Sequence, residues 1–318
     1  MIFLKTVYVY ESGAIVKKAG DRIVVQKDGI LLSSEPLINV SAIAVLDTTQ
    51  VTSQAMVTLI EAGIPVFYMK KSGRILGTVH PNSDTNIFLR LAQYDAWKDE
   101  IIRCNLARSF VLSKVDSQRK VISKYRSREF ALCAKLTQSL DEIATQLEAA
   151  KDIYVIMGLE GAATNCYYGL LRECFIGMPF DKRSKHPPRD EVNSLLSLGY
   201  TLLLAKVHIS LLLRGFDTSI GYLHSIQAKR DSLGLDMLEV YRPYIDNMVM
   251  NCVNRREFSE RDFQKSINGT PILNKDGFRR FVTKFSTMDM ILDDIPRYVD
   301  WLYAILMSGK EVVPWRLE

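Results

Sequence analysis

The stretch Ala42–Met69, AIAVLDTTQVTSQAMVTLIEAGIPVFYM, decides how the first part of the chain folds. Ala42–Leu46 is an unbroken apolar run and reads as a buried strand. Thr52 or Ser53 stands where a helix N-cap is wanted, and Met56, Leu59 and Ile60 repeat behind it at helical spacing. Gly63 ends that helix, and Ile64–Met69 is a second apolar strand. A strand, a short helix and a strand predict one parallel crossover, because parallel neighbours need a long connection.

Upstream lie four short runs rich in β-branched and aromatic residues: Ile2–Tyr10, Ala14–Lys18, Arg22–Gln26 and Ile30–Ser33. The turn signals Glu11-Ser12-Gly13, Ala19-Gly20-Asp21 and Lys27-Asp28-Gly29 separate them, so they read as a meander of antiparallel strands. Downstream, the turn Lys70-Lys71-Ser72-Gly73 leads to a last strand, Arg74–Val79, and His80-Pro81-Asn82-Ser83-Asp84 has linker chemistry. No acid–base cluster and no phosphate loop occurs here, so this region reads as a folding and dimerisation module. From residue 86 helical spacing takes over. The expected class is α+β: a small β-rich domain over 1–80, a linker at 81–85 and a larger all-α domain over 86–318.

Composition agrees with two globular domains. The chain has 318 residues, 47% hydrophobic and 24% charged. A net charge of +5 and a pI near 8.8 permit a nucleic-acid partner without requiring one. The five cysteines have no zinc spacing, their number is odd, and the N-terminus lacks signal-peptide organisation, so a reducing cytoplasm is expected. The longest apolar run, Leu195–Leu213, is interrupted by Lys206 and His208 and reads as a buried helix rather than a membrane span.

Candidate chemistry gathers in the helical part, above all in Gly221–Pro243, GYLHSIQAKRDSLGLDMLEVYRP. His224 falls in a loop. Asp236 and Glu239 follow three residues apart, a spacing that puts both on one helix face and lets both point at one small volume. A further carboxylate is available in MGLEGAATNCYYGLL, where Glu160 has small residues around it and no basic residue within a helical turn. A buried, unpaired glutamate needs a neutralising partner, and a metal ion would serve. An imidazole and carboxylates meeting at one point suit a divalent cation. The plainer readings stay open at this point: an exposed Glu160, a surface His224 and a solvated acidic face for Asp236 and Glu239.

Positive charge is densest from Arg103 to Glu129, either a basic helical face for phosphates or a solvated face. The loop Phe180–Asp190, FDKRSKHPPRD, carries Lys182, Arg183, Lys185 and Arg189 and is either a plain surface loop or a DNA clamp. Candidate DNA contacts are Lys182, Arg183, Arg189, Tyr200, Lys229 and Arg242. His208, in an apolar helix, reads as a satisfied core histidine.

Four segments carry a resemblance: QVTSQAMVTLIEAGIPVFYM, GLEGAATNCYYGLL, KHPPRDEVNSLLSLGYTLL and GFDTSIGYLHSIQAKRDSLGLDMLEVYRP. In this order and spacing they resemble the CRISPR-associated spacer-acquisition integrase and endonuclease family, Cas1, over nearly the whole chain. The resemblance implies a β-rich N-terminal domain, an all-helical C-terminal domain and a homodimer formed largely through the N-terminal domains. It implies catalytic residues Glu160, His224, Asp236 and Glu239. Of these, Glu160, His224 and Glu239 would bind Mg2+ or Mn2+, with Asp236 as an extra acidic neighbour. Its partners would be double-stranded DNA with 3′ ends and the small protein Cas2. Asp231 and Glu191 stand where the family often has proline, which puts local DNA contacts in doubt rather than the metal ligands. The expected reaction is transesterification by the 3′-hydroxyl of incoming DNA, which requires no serine or cysteine nucleophile from the protein. Two alternatives are a metal-dependent nuclease using water and a non-catalytic DNA-binding scaffold.

Overall fold

The structure, a computed structural model, describes residues 5–71, 73–80, 86–125, 127, 129–185, 187–228 and 230–317. It divides into two compact units, Met1–Ile87 and Phe88–Glu318. The division falls in the first turn of a helix, close to the expected boundary, and the expected linker, 81–85, lies outside the described residues.

The first unit contains β1 (Lys5–Val9), β2 (Ile15–Ala19), β3 (Arg22–Lys27), β4 (Ile30–Pro36), β5 (Val40–Leu46), β6 (Gln50–Val51), α1 (Ser53–Glu61), β7 (Val66–Met69) and β8 (Ile75–Val79). Two four-stranded sheets result, ordered β4-β3-β2-β6 and β1-β5-β7-β8. The antiparallel meander holds for β2, β3 and β4. It fails for β1, which pairs parallel with β5. The cause is β5 itself: Ala42–Leu46 is buried throughout, so it sits inside a sheet and needs a partner on each edge. β1 supplies one, and β7 supplies the other through the expected parallel crossover. Thr52 caps α1, its hydroxyl accepting from the Ala55 N–H at 3.3 Å. Val16, Ile23, Ile43, Val45, Leu59 and Val66 form the core between these elements.

The second unit contains α2 (Ile87–Lys98), α3 (Glu100–Ser123), α4 (Phe130–Ala149), α5 (Ile153–Cys174), α6 (Glu191–Arg214), α7 (Ser232–Leu238) and α8 (Arg242–Asn254). A small antiparallel hairpin follows, β9 (Phe263–Lys265) and β10 (Pro271–Leu273), then α9 (Lys275–Ser286) and α10 (Asp289–Ser308). The hairpin departs from the all-α expectation. A second departure matters more. The helix face expected to carry both Asp236 and Glu239 is interrupted: α7 ends at Leu238 and α8 begins at Arg242, with Glu239–Tyr241 as the joint. Pro243 lacks the N–H an interior helical residue must donate, so it sits in the first turn of α8 and a new helix starts there.

α6 is long and apolar enough to cross a membrane, yet twelve of its residues, Val192 to Leu211, are buried within this unit, which makes it a core helix. Asp190 caps it, accepting from the Asn193 N–H at 2.7 Å, and Gly215 ends it at φ 96°, where a side chain would be strained. None of the five cysteines forms a disulfide among the described residues.

Candidate active site

The site is built on a loop folded around one carboxylate. Asp236 lies in α7 with no exposed surface. Its Oδ2 accepts from the backbone N–H groups of Tyr222, at 2.6 Å, and Leu223, at 3.0 Å. Its Oδ1 accepts from the His224 N–H at 2.8 Å and faces His224 Nδ1 at 2.7 Å. Four partners saturate the carboxylate. Asp236 therefore orients His224 and leaves Nε2 as the ring nitrogen able to bind a cation, the usual arrangement for a metal-binding histidine. Gly221 permits the tight fold: a Cβ there would come within 2.7 Å of Ser232 Cβ and 2.8 Å of the His224 carbonyl. Arg103 of α3 donates to the Tyr222 carbonyl at 3.3 Å and steadies the loop from another side.

Glu239, three residues on, faces elsewhere. It is 4% exposed, with Oε1 accepting from Arg242 Nε at 2.7 Å and Oε2 from Lys114 Nζ at 2.5 Å. Burial pushes its carboxyl up, but Arg242 and then Lys114 outweigh burial and hold it far below the usual carboxylate range. Lys114, from the middle of α3, is itself 4% exposed and also donates to Glu160 Oε1 on α5. Burial lowers the Lys114 ammonium, and Glu239 and Glu160 together more than reverse that. Thr164 Oγ1 donates to the same Glu160 oxygen at 3.0 Å.

The structure thus brings Glu160 and Glu239 together from two helices, at one ammonium nitrogen. The expectation that Asp236 and Glu239 point at one volume is corrected. One is spent inside the loop, and the other faces α3 and α5. The setting of Glu160 is corrected too. Its basic partner comes from a distant helix, and Gly158 and Gly161 face open space rather than a close neighbour.

Among the described residues no three His, Cys, Asp or Glu side chains form a ready cage for a metal ion. The reason is local: Lys114 stands between the two glutamates. The donors nonetheless fit a divalent cation in kind. Two carboxylate oxygens already converge on one positive centre, and the imidazole of His224 has the correct nitrogen open.

The remaining candidates sort differently. Tyr200 is not a DNA contact: it is buried and its hydroxyl donates to Asp246. Arg183 and Arg242 lie over its ring, 5.3 and 4.8 Å from the centroid. Arg242 is committed to Glu239 and Tyr200, and Arg183 to Asn193 Oδ1 and Ser197 Oγ, each at 2.8 Å. Both are internal braces rather than phosphate ligands. Lys182 and Arg189 are exposed, and Lys229 lies outside the described residues. In the basic stretch on α3, three cations have carboxylate partners. Lys114 is buried, Arg119 pairs with Asp141 at 2.5 Å, and Lys120 pairs with Asp116 at 3.2 Å. Arg126 and Arg128 lie outside the described residues. His208 is a satisfied histidine, its Nδ1 2.6 Å from Asp231.

Sequence reading missed Lys114 and Asp246. The signal for Lys114 was its place on α3 among Ser109, Ser113, Ser117 and Gln118, a polar set that is buried. Asp246, on α8, is driven up to about 7 by burial, against the opposing hydrogen bond from Tyr200. Its unfolded value is near 3.8, so the native state keeps a proton that the unfolded chain gives up. Its contribution is most favourable below about 4, is lost as pH rises toward 7, and is flat above. Asp246→Asn should remove that slope. In chemical unfolding at stepped pH, wild type should lose stability relative to the variant between those limits; parallel profiles would count against a protonated Asp246.

These features define a class: an α+β protein whose helical unit joins two glutamates at one lysine ammonium and holds a histidine ring on a saturated aspartate. A family profile described as CRISPR associated protein Cas1 matches residues 7–287. The CRISPR-associated endonuclease Cas1 3 of Thermus thermophilus is 31% identical over 280 residues, 87% of this chain and 82% of the relative. A solved CAS1 protein from Thermotoga maritima superposes with a TM-score of 0.81 at 26% identity, covering 97% of this chain and 98% of its own. The fold is also shared with a casposase bound to integration product, at TM-score 0.81 and 22% identity, over 99% of this chain and 95% of that one. The chain belongs to the Cas1 family.

Proposed function

We propose that this chain is a metal-dependent DNA integrase and endonuclease of CRISPR adaptation, joining the 3′-hydroxyl ends of captured DNA into the CRISPR array by transesterification. One observation carries the reading: Glu160 of α5 and Glu239 at the end of α7 share one ammonium, in the same unit where Asp236 fixes the His224 imidazole. Supporting it, curated relatives are named endonucleases and a casposase of this fold was solved with an integration product.

Glu160, Glu239 and His224 Nε2 would hold Mg2+ or Mn2+. Oxygen donors suit Mg2+, and the imidazole moves preference toward Mn2+. A bound divalent ion lowers the pKa of an attacking hydroxyl and offsets the charge that builds on the phosphorus centre. The chain's own residues supply placement. Asp236 keeps His224 in one tautomer, and Arg242 holds one oxygen of Glu239 so that the other faces the cation site. In the loop after α5, burial and then the Arg242 guanidinium push the Lys185 ammonium below the usual lysine range. The exposed Lys182 and Arg189 suit the Phe180–Asp190 loop to phosphate contact.

The partners of the proposal are double-stranded DNA, Cas2 and a second copy of this chain. The first unit offers a surface for the last: β4 is a sheet edge, with Ile30, Leu31 and Leu32 67%, 56% and 48% exposed.

The deciding assay is integration of a linear duplex into supercoiled plasmid with Mn2+, with and without Cas2. Joined, branched product from 3′-hydroxyl ends and none from 3′-deoxy ends is expected. Shortened fragments without joining would instead support a nuclease using water, and metal-independent binding without any product would leave a scaffold. For the loop, replacing both Lys182 and Arg189 with alanine should flatten the dependence of log Kobs on log salt by about 1.8, two phosphate contacts' worth. An unchanged slope would remove these residues from the DNA surface.

A further inference from the structure

We propose that Lys114 is the site's built-in counter-cation: its ammonium holds the place between Glu160 and Glu239 until a divalent ion displaces it, so metal entry is an exchange and Lys114 sets metal affinity. The proposal rests on the metal-site reading above.

The geometry makes the two occupants mutually exclusive. Lys114 Nζ binds Glu160 Oε1 and Glu239 Oε2, the two carboxylate oxygens that meet at one point. A dication bound to the same oxygens would face an ammonium within a few ångströms in a buried setting, where like charges repel strongly. Two carboxylates this close without any cation, one of them buried and the other half-buried, would also repel each other. The metal-free protein therefore needs a positive group here, and the metal-loaded protein cannot keep it.

Lys114 is suited to leave and Arg242 is suited to stay. A lysine is a point charge on a flexible four-carbon stem, and its donors reorient freely. Arg242 binds the opposite oxygen of Glu239 and packs its guanidinium over Tyr200, so its position does not depend on what lies at Oε2. Displacement of Lys114 frees Glu160 Oε1 and Glu239 Oε2 together while Glu239 stays braced.

The test uses the full chain and Mn2+ alone, by calorimetric titration and by thermal unfolding in chelator or excess Mn2+. Lys114→Gln should unfold about 5–10 °C below wild type in chelator, because the buried Glu239 and the half-buried Glu160 both lose their partner. It should regain most of that with Mn2+ and bind Mn2+ at least ~10-fold more tightly than wild type, an exchange cost removed. Lys114→Arg, which keeps a cation, should bind no more tightly than wild type. Wild-type affinity in Lys114→Gln, with binding abolished in Glu239→Gln, would overturn the exchange and leave the metal site standing. No Mn2+ binding in any of these chains would overturn both. If Lys114→Gln does not fold, the side-chain ammonium resonance of Lys114 in 15N-labelled wild type decides. Saturating Mg2+ should shift or abolish it, and an unchanged signal with Mg2+ bound would refute the exchange.

Discussion

Glu239→Gln is expected to lower strand joining by roughly 10³-fold or more while DNA affinity stays within about twofold. A ligand to a cation that acts on the transition state is worth several kcal/mol there, and each 1.36 kcal/mol is about tenfold in rate. The glutamine keeps the shape of the side chain. It removes the charge that balances Lys114 and Arg242, both of which bond this one carboxylate. Binding is spared because Glu239 is buried and any DNA must be held by exposed cations such as Lys182 and Arg189. Joining at near wild-type rate would remove Glu239 from the site. A parallel fall in DNA affinity would mean the substitution had loosened the fold. Glu160→Gln is the control for that case: Glu160 is 27% exposed, so it loses the same chemistry at a smaller structural cost.

Asp236→Asn should be nearly as damaging as Asp236→Ala, and both should lower stability by about 3–5 kcal/mol, on the order of 10 °C in Tm. Asparagine is the usual mild replacement, but here both carboxylate oxygens accept from donors, three of them backbone N–H groups. An amide offers one acceptor atom and one donor, so its NH2 must oppose at least one backbone N–H. Turning the amide toward His224 does not rescue it. Nδ1 would then have to accept, the ring proton would move to Nε2, and the nitrogen needed by a cation would be blocked. The variant should therefore lose the Mn2+-induced rise in Tm as well as stability. An Asp236→Asn chain that folds and responds to Mn2+ like wild type would show that Asp236 does not set the tautomer.

Much of this was legible in the chain itself. The strand-to-helix change near residue 80 and the crossover around α1 follow from local pattern, and the candidacy of Glu160, His224 and Glu239 comes from the family resemblance. What was not legible depends on contacts between distant residues. β1 looks like the first strand of a meander, and only the need of β5 for two partners moves it to another sheet. Lys114 looks like one cation among many on a basic helix, and nothing local shows that it alone turns toward two glutamates. Asp236 and Glu239 share a helical face by spacing, but the loop at 222–224 captures the first before it can reach the second. Tyr200, Arg183 and Arg242 have the chemistry of a nucleic-acid surface, and packing turns it inward. Residue type and the resemblance thus marked the acids and the imidazole as candidates, while the lysine that joins two of the acids was set by tertiary contact.

The central claim is that Glu160, Glu239 and His224 share one divalent cation. The most direct measurement is anomalous diffraction at the manganese edge from crystals of the wild-type protein soaked in Mn2+. The account predicts a peak within bonding distance of both glutamate carboxylates and of His224 Nε2, with the Lys114 ammonium moved off the pair. A peak bound elsewhere, or well-ordered glutamates still joined through Lys114 in saturating Mn2+, would contradict it.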